Sequence, residues 1–134
     1  AIMRQQSGIE RTLSAARGAD VALLGIGNLD PEASGIVKAG FMTSQDLVEL
    51  RSDGAAGDIA GRMFTTDGEL HPCPCNDRVI GITLDELRGI PTTFAVAMGA
   101  NKDRAILGAL RTGVVNVLCT DDQAASAVLA LEDD

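Results

Sequence analysis

Asp20-Val21-Ala22-Leu23-Leu24-Gly25-Ile26-Gly27 is the stretch that decides the fold. Val21 to Leu24 is apolar without a polar alternation, and Gly25-Ile26-Gly27 ends the run. A strand apolar on both sides predicts cover on both faces, the mark of a parallel sheet inside an α/β fold. Ahead of it, Ile9, Leu13 and Ala16 recur at helical spacing until Gly18, with Ser7 and Glu10 as an expected capping box. Helical character from Ile2 to Arg17, directly after Ala1, leads us to expect that the sequence enters in mid-fold.

The same unit returns downstream. Thr93 to Ala97 reads as a strand closed by Met98-Gly99-Ala100. Lys102 to Arg111 carries Ala105, Ile106, Ala109 and Leu110 on one helical face, and Gly113 stops it. Val114 to Cys119 is the next strand, and Thr120 with Gln123 predicts a capping box for a last helix striped by Ala124, Val128 and Leu131. Strand, helix, strand, helix at this spacing predicts βαβ crossovers and a parallel sheet with helices on both faces. Between the units, Ser44 to Leu50 reads as a short helix. Ile59 to Thr65, Asp67-Gly68 and Val79 to Ile82 then predict a small β-hairpin excursion, before Thr83 and Glu86 cap another short helix. No linker or low-complexity segment interrupts the chain, so residues 1–134 read as one domain.

Composition narrows the function. The 134 residues are 46% hydrophobic, which suits a packed core rather than a disordered chain. Eleven basic against nineteen acidic residues leave a net charge of −8, with no Trp, no Tyr and no Lys/Arg cluster. Such a chain lacks the cations and stacking platforms that nucleic acid requires, so no direct DNA contact is expected. Apolar runs fall well short of the roughly 18 residues of a membrane span. Three cysteines, an odd number, fit a reducing compartment better than a disulfide framework, and the expected location is the cytoplasm.

Candidate site residues lie in the loops that leave the carboxyl ends of parallel strands, where ligands of open α/β sheets bind. Gly25, Ile26 and Gly27 allow close backbone approach, although two glycines without a third are a weak nucleotide fingerprint, and by pattern alone turn geometry is the preferred reading. Lys102 stands in the first turn of a helix, the wrong end for a cation unless an anion is held there; an ordinary solvated lysine is the alternative. Asp58, in Gly54-Ala55-Ala56-Gly57-Asp58, could accept sugar hydroxyls or simply cap a turn. His71-Pro72-Cys73-Pro74-Cys75 offers soft-metal ligands at a spacing unlike structural zinc sites, so no metal is expected and a proline-stiffened solvent loop is preferred. No Ser/His/Asp or Cys/His catalytic arrangement and no cofactor motif is present.

The order of these motifs is more specific than any one of them. From Asp20 onward the succession of the Gly25 loop, Ser34 to Gly40, Gly54 to Ile59, Asp67-Gly68, Asn76 to Ile82, Val96 to Lys102 with Ala105-Ile106, and Asn116 to Asp121 resembles the effector-binding domain of the SorC/DeoR-type sugar-responsive bacterial transcriptional regulators. The resemblance implies a fold similar to the sugar-phosphate isomerase and glucosamine-phosphate deaminase group. It also implies a phosphorylated sugar or related metabolite as effector, a homo-oligomer, and a DNA-reading helix-turn-helix outside these residues. Carried over by position, Lys102 and Asp58 match ligand-contacting positions of the family, Gly25 to Gly27 match a loop lining the same cleft, and Gly99 matches the second of two glycines. Met98 departs from the pattern at the first of them. The pocket is expected to be partial, the C-terminal part of the effector domain. A sugar-phosphate isomerase or deaminase, with Asp58 as base, is the enzymatic alternative. Metal or redox sensing through His71, Cys73 and Cys75 is a third.

Overall fold

The computed structural model describes residues 2–132 and contains a five-stranded mixed sheet whose strands lie side by side in the order Arg62–Thr65, Ala55–Ile59, Val21–Asn28, Thr92–Val96 and Val117–Cys119. A 3-10 turn, Ile2–Gln5, leads into α1 (Ser7–Arg17), and β1 is Val21–Asn28. Two helices, α2 (Gly35–Lys38) and α3 (Ser44–Ser52), precede the hairpin of β2 (Ala55–Ile59) and β3 (Arg62–Thr65). The chain then runs through α4 (Leu84–Arg88), β4 (Thr92–Val96), α5 (Asp103–Arg111), β5 (Val117–Cys119) and α6 (Asp122–Glu132). β1, β4 and β5 are parallel, as expected of the βαβ unit. The hairpin is no excursion: β2 pairs antiparallel with β1, Gly27 opposite Asp58, so the sheet is mixed rather than parallel.

The hairpin also turns earlier than its strongest turn signal. Ala60 and Gly61 both adopt positive φ (52° and 77°), the two-residue geometry whose twist matches paired strands. Asp67-Gly68 does form a tight turn, with Gly68 N–H donating to Thr65 O at 3.0 Å, but it leads only to an isolated bridge between Phe64 and Leu70. The expected strand from Val79 to Ile82 is absent because its backbone is engaged elsewhere. Arg62, buried in β3, donates to the carbonyls of Asn76, Gly81 and Ile82 at 2.9–3.1 Å. Guanidinium donors are charged and forked, so they outcompete a neutral strand ladder for those carbonyls.

Capping likewise follows contacts as much as motifs. The Thr83/Glu86 box forms as expected, and Thr43/Asp46 forms one that the sequence reading passed over. The Ser7/Glu10 box does not form: Gln6 is the N-cap, and Glu10 pairs with Arg17 at 2.9 Å. At α6 the cap is Asp121, accepting from Ala124 N–H at 2.7 Å, and Thr120 Oγ1 is buried without a hydrogen-bond partner.

Ile26, Ala95, Ala97, Ile59 and Phe64 on one face of the sheet pack against Leu84 and Leu87 of α4, Ala105, Ile106 and Ala109 of α5, and Ala124 and Val128 of α6. On the opposite face, among the described residues, only the hairpin end is covered, where Met63, Ala55, Leu29 and Leu47 of α3 form a second, smaller core. Across β1, β4 and β5 that face is uncovered, with Leu23 75% and Val21 59% exposed. The expectation of helices on both faces therefore holds over β2 and β3 and fails over β1, β4 and β5. Cys119, expected in a buried strand, is exposed for the same reason.

α5 lies tightly on the hairpin because glycines stand at the contact, Gly57 in β2 against Ala105 and Gly108 in α5 against the Phe64 ring. A Cβ on Gly108 would sit 2.6 Å from Thr65 O and 2.9 Å from Phe64 Cε2, and one on Gly57 would sit 2.8 Å from Ala105 Cβ. Glycine inside an exposed helix is less stable than alanine by about 1 kcal/mol. At this contact the sign should invert, so Gly108→Ala is expected to destabilise the domain by about 1–3 kcal/mol through overpacking. Denaturant unfolding measures it, and a variant more stable than wild type would overturn the account.

Candidate functional site

The hairpin register and the seating of α5 bring the nominated residues together. Asp58 faces Gly27 across the β1–β2 pair, and Gly27 is the residue that lets it approach: a Cβ there would lie 1.8 Å from Asp58 Oδ1. Lys102 ends the 3-10 turn Ala100–Lys102 that runs into α5, and its Nζ donates to Ile26 O at 2.6 Å. Gly25, Ile26, Gly27, Asp58 and Lys102 thus line one pocket of about 330 Å³, completed by Asn28 and by Ala33 to Ile36 at the start of α2. Gly99 stands outside its wall. Its φ of 101° makes the turn before the 3-10 segment, and its N–H donates to Asp121 Oδ2 at 2.9 Å. Met98, the departure from the family pattern, is exposed and outside the wall as well.

Both charged walls are held at an electrostatic cost. Burial pushes the Asp58 carboxyl above the usual carboxylate range, against the pull of a 3.2 Å hydrogen bond from Gly61 N–H and of the Lys102 charge. Burial likewise draws the Lys102 ammonium below the usual lysine range, and Asp58 opposes that shift. Desolvation therefore outweighs mutual attraction for each group, an arrangement more typical of a site than of a surface. Lys102 uses one of its three donors on the Ile26 carbonyl. The pocket thus offers an ammonium, a carboxylate and glycine backbone to a ligand carrying both anionic and hydroxyl groups.

Sequence reasoning overlooked Ser34 and Asn28. Ser34 is buried at the α2 N-cap without a side-chain capping bond, and its place in the Ser34 to Gly40 motif was the available signal. Asn28, also buried, donates to Asn101 O at 3.2 Å and lines a second polar cavity of about 410 Å³, which Arg51, Asn101 and Arg104 also line. That cavity contains none of the nominated residues.

His71, Cys73 and Cys75 sit away from this pocket. His71 is buried, with Nε2 3.1 Å from Asp53 O, rather than in a solvent loop. Cys73 and Cys75 are joined in a disulfide, so the reading of three reduced cysteines is corrected for this pair; the bond is a local bridge across one residue, not a framework. Among the described residues no cluster suited to a metal ion occurs.

A raised carboxyl pKa means the folded state binds protons more readily than the unfolded chain, so the ionised form costs stability once pH rises above the ordinary Asp value of 3.8. Asp58→Asn removes that cost. We expect the variant to unfold at higher temperature than wild type at pH 7, with the gap closing as pH falls toward 3.8, as followed by circular dichroism. Gly27→Ala, which displaces the carboxylate, is expected to lower the melting temperature at every pH.

Comparison with known proteins follows this geometry. Residues 1–130 match the Sugar-bind family model, described as "putative sugar-binding domain". The chain is 36% identical over 132 residues to the transcriptional regulator LsrR of Klebsiella pneumoniae, covering 97% of this chain and 41% of that protein. It superposes on the crystal structure of the "putative sugar-binding domain of transcriptional repressor" from Vibrio fischeri with a TM-score of 0.85 and 43% identity, over 98% of this chain and 52% of that one. The full-length sorbitol operon regulator SorC of Klebsiella pneumoniae aligns with a TM-score of 0.81 and 29% identity, over 96% and 41%. The chain thus spans about two fifths of the length of the regulators it matches and about half of the solved domain. With its mixed sheet, its flanking helices and 130 matched residues, this chain belongs to the family of sugar-binding domains of SorC/DeoR-type transcriptional regulators.

Proposed function

We propose that the pocket between Gly25–Gly27, Asp58 and Lys102 binds a phosphorylated sugar or related metabolite, and that occupancy controls DNA binding by a longer, homo-oligomeric regulator acting in the cytoplasm. One observation carries the reading: an ammonium and a carboxylate, both partly desolvated, line the same pocket beside side-chain-free backbone. Lys102 meets the phosphate with the donors left free by Ile26, as a compact charge at a desolvated site. Asp58 accepts from ring or chain hydroxyls, and Gly25 and Gly27 let the sugar lie against the strand end. Binding a ligand between the two charges supplies partners that the empty pocket lacks, which returns part of the desolvation cost.

The domain organisation is part of the same proposal. Residues 1–134 are read as the C-terminal part of an effector domain, with the helix-turn-helix supplied elsewhere in the protein. The uncovered apolar face over β1, β4 and β5 supports this, because exposed Val21 and Leu23 beside Val96 and Val117 call for cover that a longer domain provides. With a net charge of −8, this segment is read as leaving DNA contact to another domain. An isomerase or deaminase is disfavoured because the relatives that match this chain are transcriptional regulators, although Asp58 and Lys102 would be the acid–base pair of an enzyme in this pocket. Ligand control of DNA binding requires unequal affinity for the two conformations of the regulator.

Calorimetry on the full-length regulator, with paired sugars and sugar phosphates, tests the site. Lys102→Met is expected to weaken a sugar phosphate at least tenfold while changing the unphosphorylated sugar little, and Asp58→Asn is expected to weaken both. No binding at millimolar ligand, or unchanged affinity in Lys102→Met, overturns the assignment. Turnover of ribose or glucosamine phosphates by the purified protein would favour the enzyme instead.

A further inference from the structure

We propose that Cys73 and Cys75 form a redox-active dithiol, a modification site separate from the sugar pocket, that exchanges with low-molecular-weight thiols and disulfides. The pair lies in the strap from His71 to Asn76. Both cysteines are partly exposed and line a cavity of about 750 Å³ together with Pro72, Pro74 and Arg78 and with Asp46, Glu49 and Asp53 from the α3 side. A small thiol can therefore reach the sulfur atoms, which a disulfide sealed inside a core would not allow.

The bridge is dispensable for holding the strap. It closes the loop of a single intervening residue, and disulfide stabilisation through the unfolded state grows with the length of the loop closed. Other bonds latch the strap to β3. Buried Asn76 accepts from Met63 N–H at 2.7 Å and donates to Met63 O and His71 O at 3.1 and 2.7 Å, while Arg62 donates to Asn76 O at 3.0 Å. With the disulfide cleaved, these bonds and the fixed φ of Pro74 keep the two thiols adjacent, so the bond can re-form.

In reduction, a thiolate attacks one sulfur of the Cys73–Cys75 bond, giving a mixed disulfide and a free cysteine thiolate. A second thiolate resolves the mixed disulfide. The protein gains two electrons and two protons, and two thiols leave as one disulfide; oxidation is the reverse, with a small disulfide as the oxidant.

The test uses the full-length regulator carrying Cys119→Ser, which removes the exposed free thiol. The protein is equilibrated in mixtures of reduced and oxidised glutathione and trapped with a maleimide, and the adducts on the peptide holding Cys73 and Cys75 are counted by mass spectrometry. We expect a reversible passage from two adducts to none as the oxidised fraction rises, with an unchanged circular dichroism spectrum. Cys73→Ser should instead accumulate a mixed disulfide at Cys75. Thiols fully labelled at every ratio, a bond that survives excess reduced glutathione, or loss of the folded signal on reduction would each overturn the proposal.

Discussion

The close seating of α5 on the hairpin is the constraint on which the rest of this structure depends. Gly57, Ala105 and Gly108 leave so little between helix and sheet that an added Cβ would meet Ala105 at Gly57, and Thr65 O and the Phe64 ring at Gly108, within 3 Å. Helices and sheets usually stand off by the height of side chains on both; here two glycines, the Ala105 methyl and the Phe64 ring set the standoff. That distance fixes the start of α5, and with it Lys102, against the carboxyl end of β1. A helix held further from the sheet would carry Lys102 away from the Ile26 carbonyl and from Asp58.

The pocket that results is built against the local electrostatic preference of its own residues. Asp58 would be more stable in water, as would Lys102, and their attraction does not recover what burial takes from each. The core bears the difference: Phe64, Ile59 and Met63 are fully buried around the hairpin that carries the carboxylate. Gly27 completes the arrangement by leaving empty the space that Asp58 Oδ1 occupies. Loss of that space acts on the site without touching any charge, which is why a glycine there belongs with the charged residues in a description of the pocket.

A second lesson lies in β3. Arg62, buried in β3, spends its hydrogen bonds on the carbonyls of Asn76, Gly81 and Ile82, and buried Asn76 bonds back to the Met63 backbone of β3 and to His71 O, so the two side chains hold in place a stretch that makes no regular ladder. Side chains here perform the work that strand pairing would otherwise perform. The same bonds free the Cys73–Cys75 bridge from a structural role.

How much of this was legible in the sequence differs from element to element. The apolar run of β1, the α5 stripe and the Thr83/Glu86 box are local patterns, and local patterns report elements directly. Lys102, Asp58 and the Gly25 loop are visible in the sequence through their chemistry at loops and helix starts and through motif order, and five of the six candidate residues share a pocket. Gly99 does not, because its N–H is committed to Asp121, a partner 22 positions away that no spacing rule indicates. The reversed direction of β2, the loop in place of a strand at Val79 to Ile82, the burial of His71 and the exposure of Cys119 were equally out of reach. By itself the sequence determined the parallel strands β1, β4 and β5, the helices α1, α3, α4, α5 and α6, and the family they compose, since these follow from short-range pattern and motif order. Only the tertiary structure decided which strand direction, which neighbour for each polar group and which bare face resulted, because those depend on contacts between residues far apart in the chain, where packing and hydrogen-bond competition outweigh local preference.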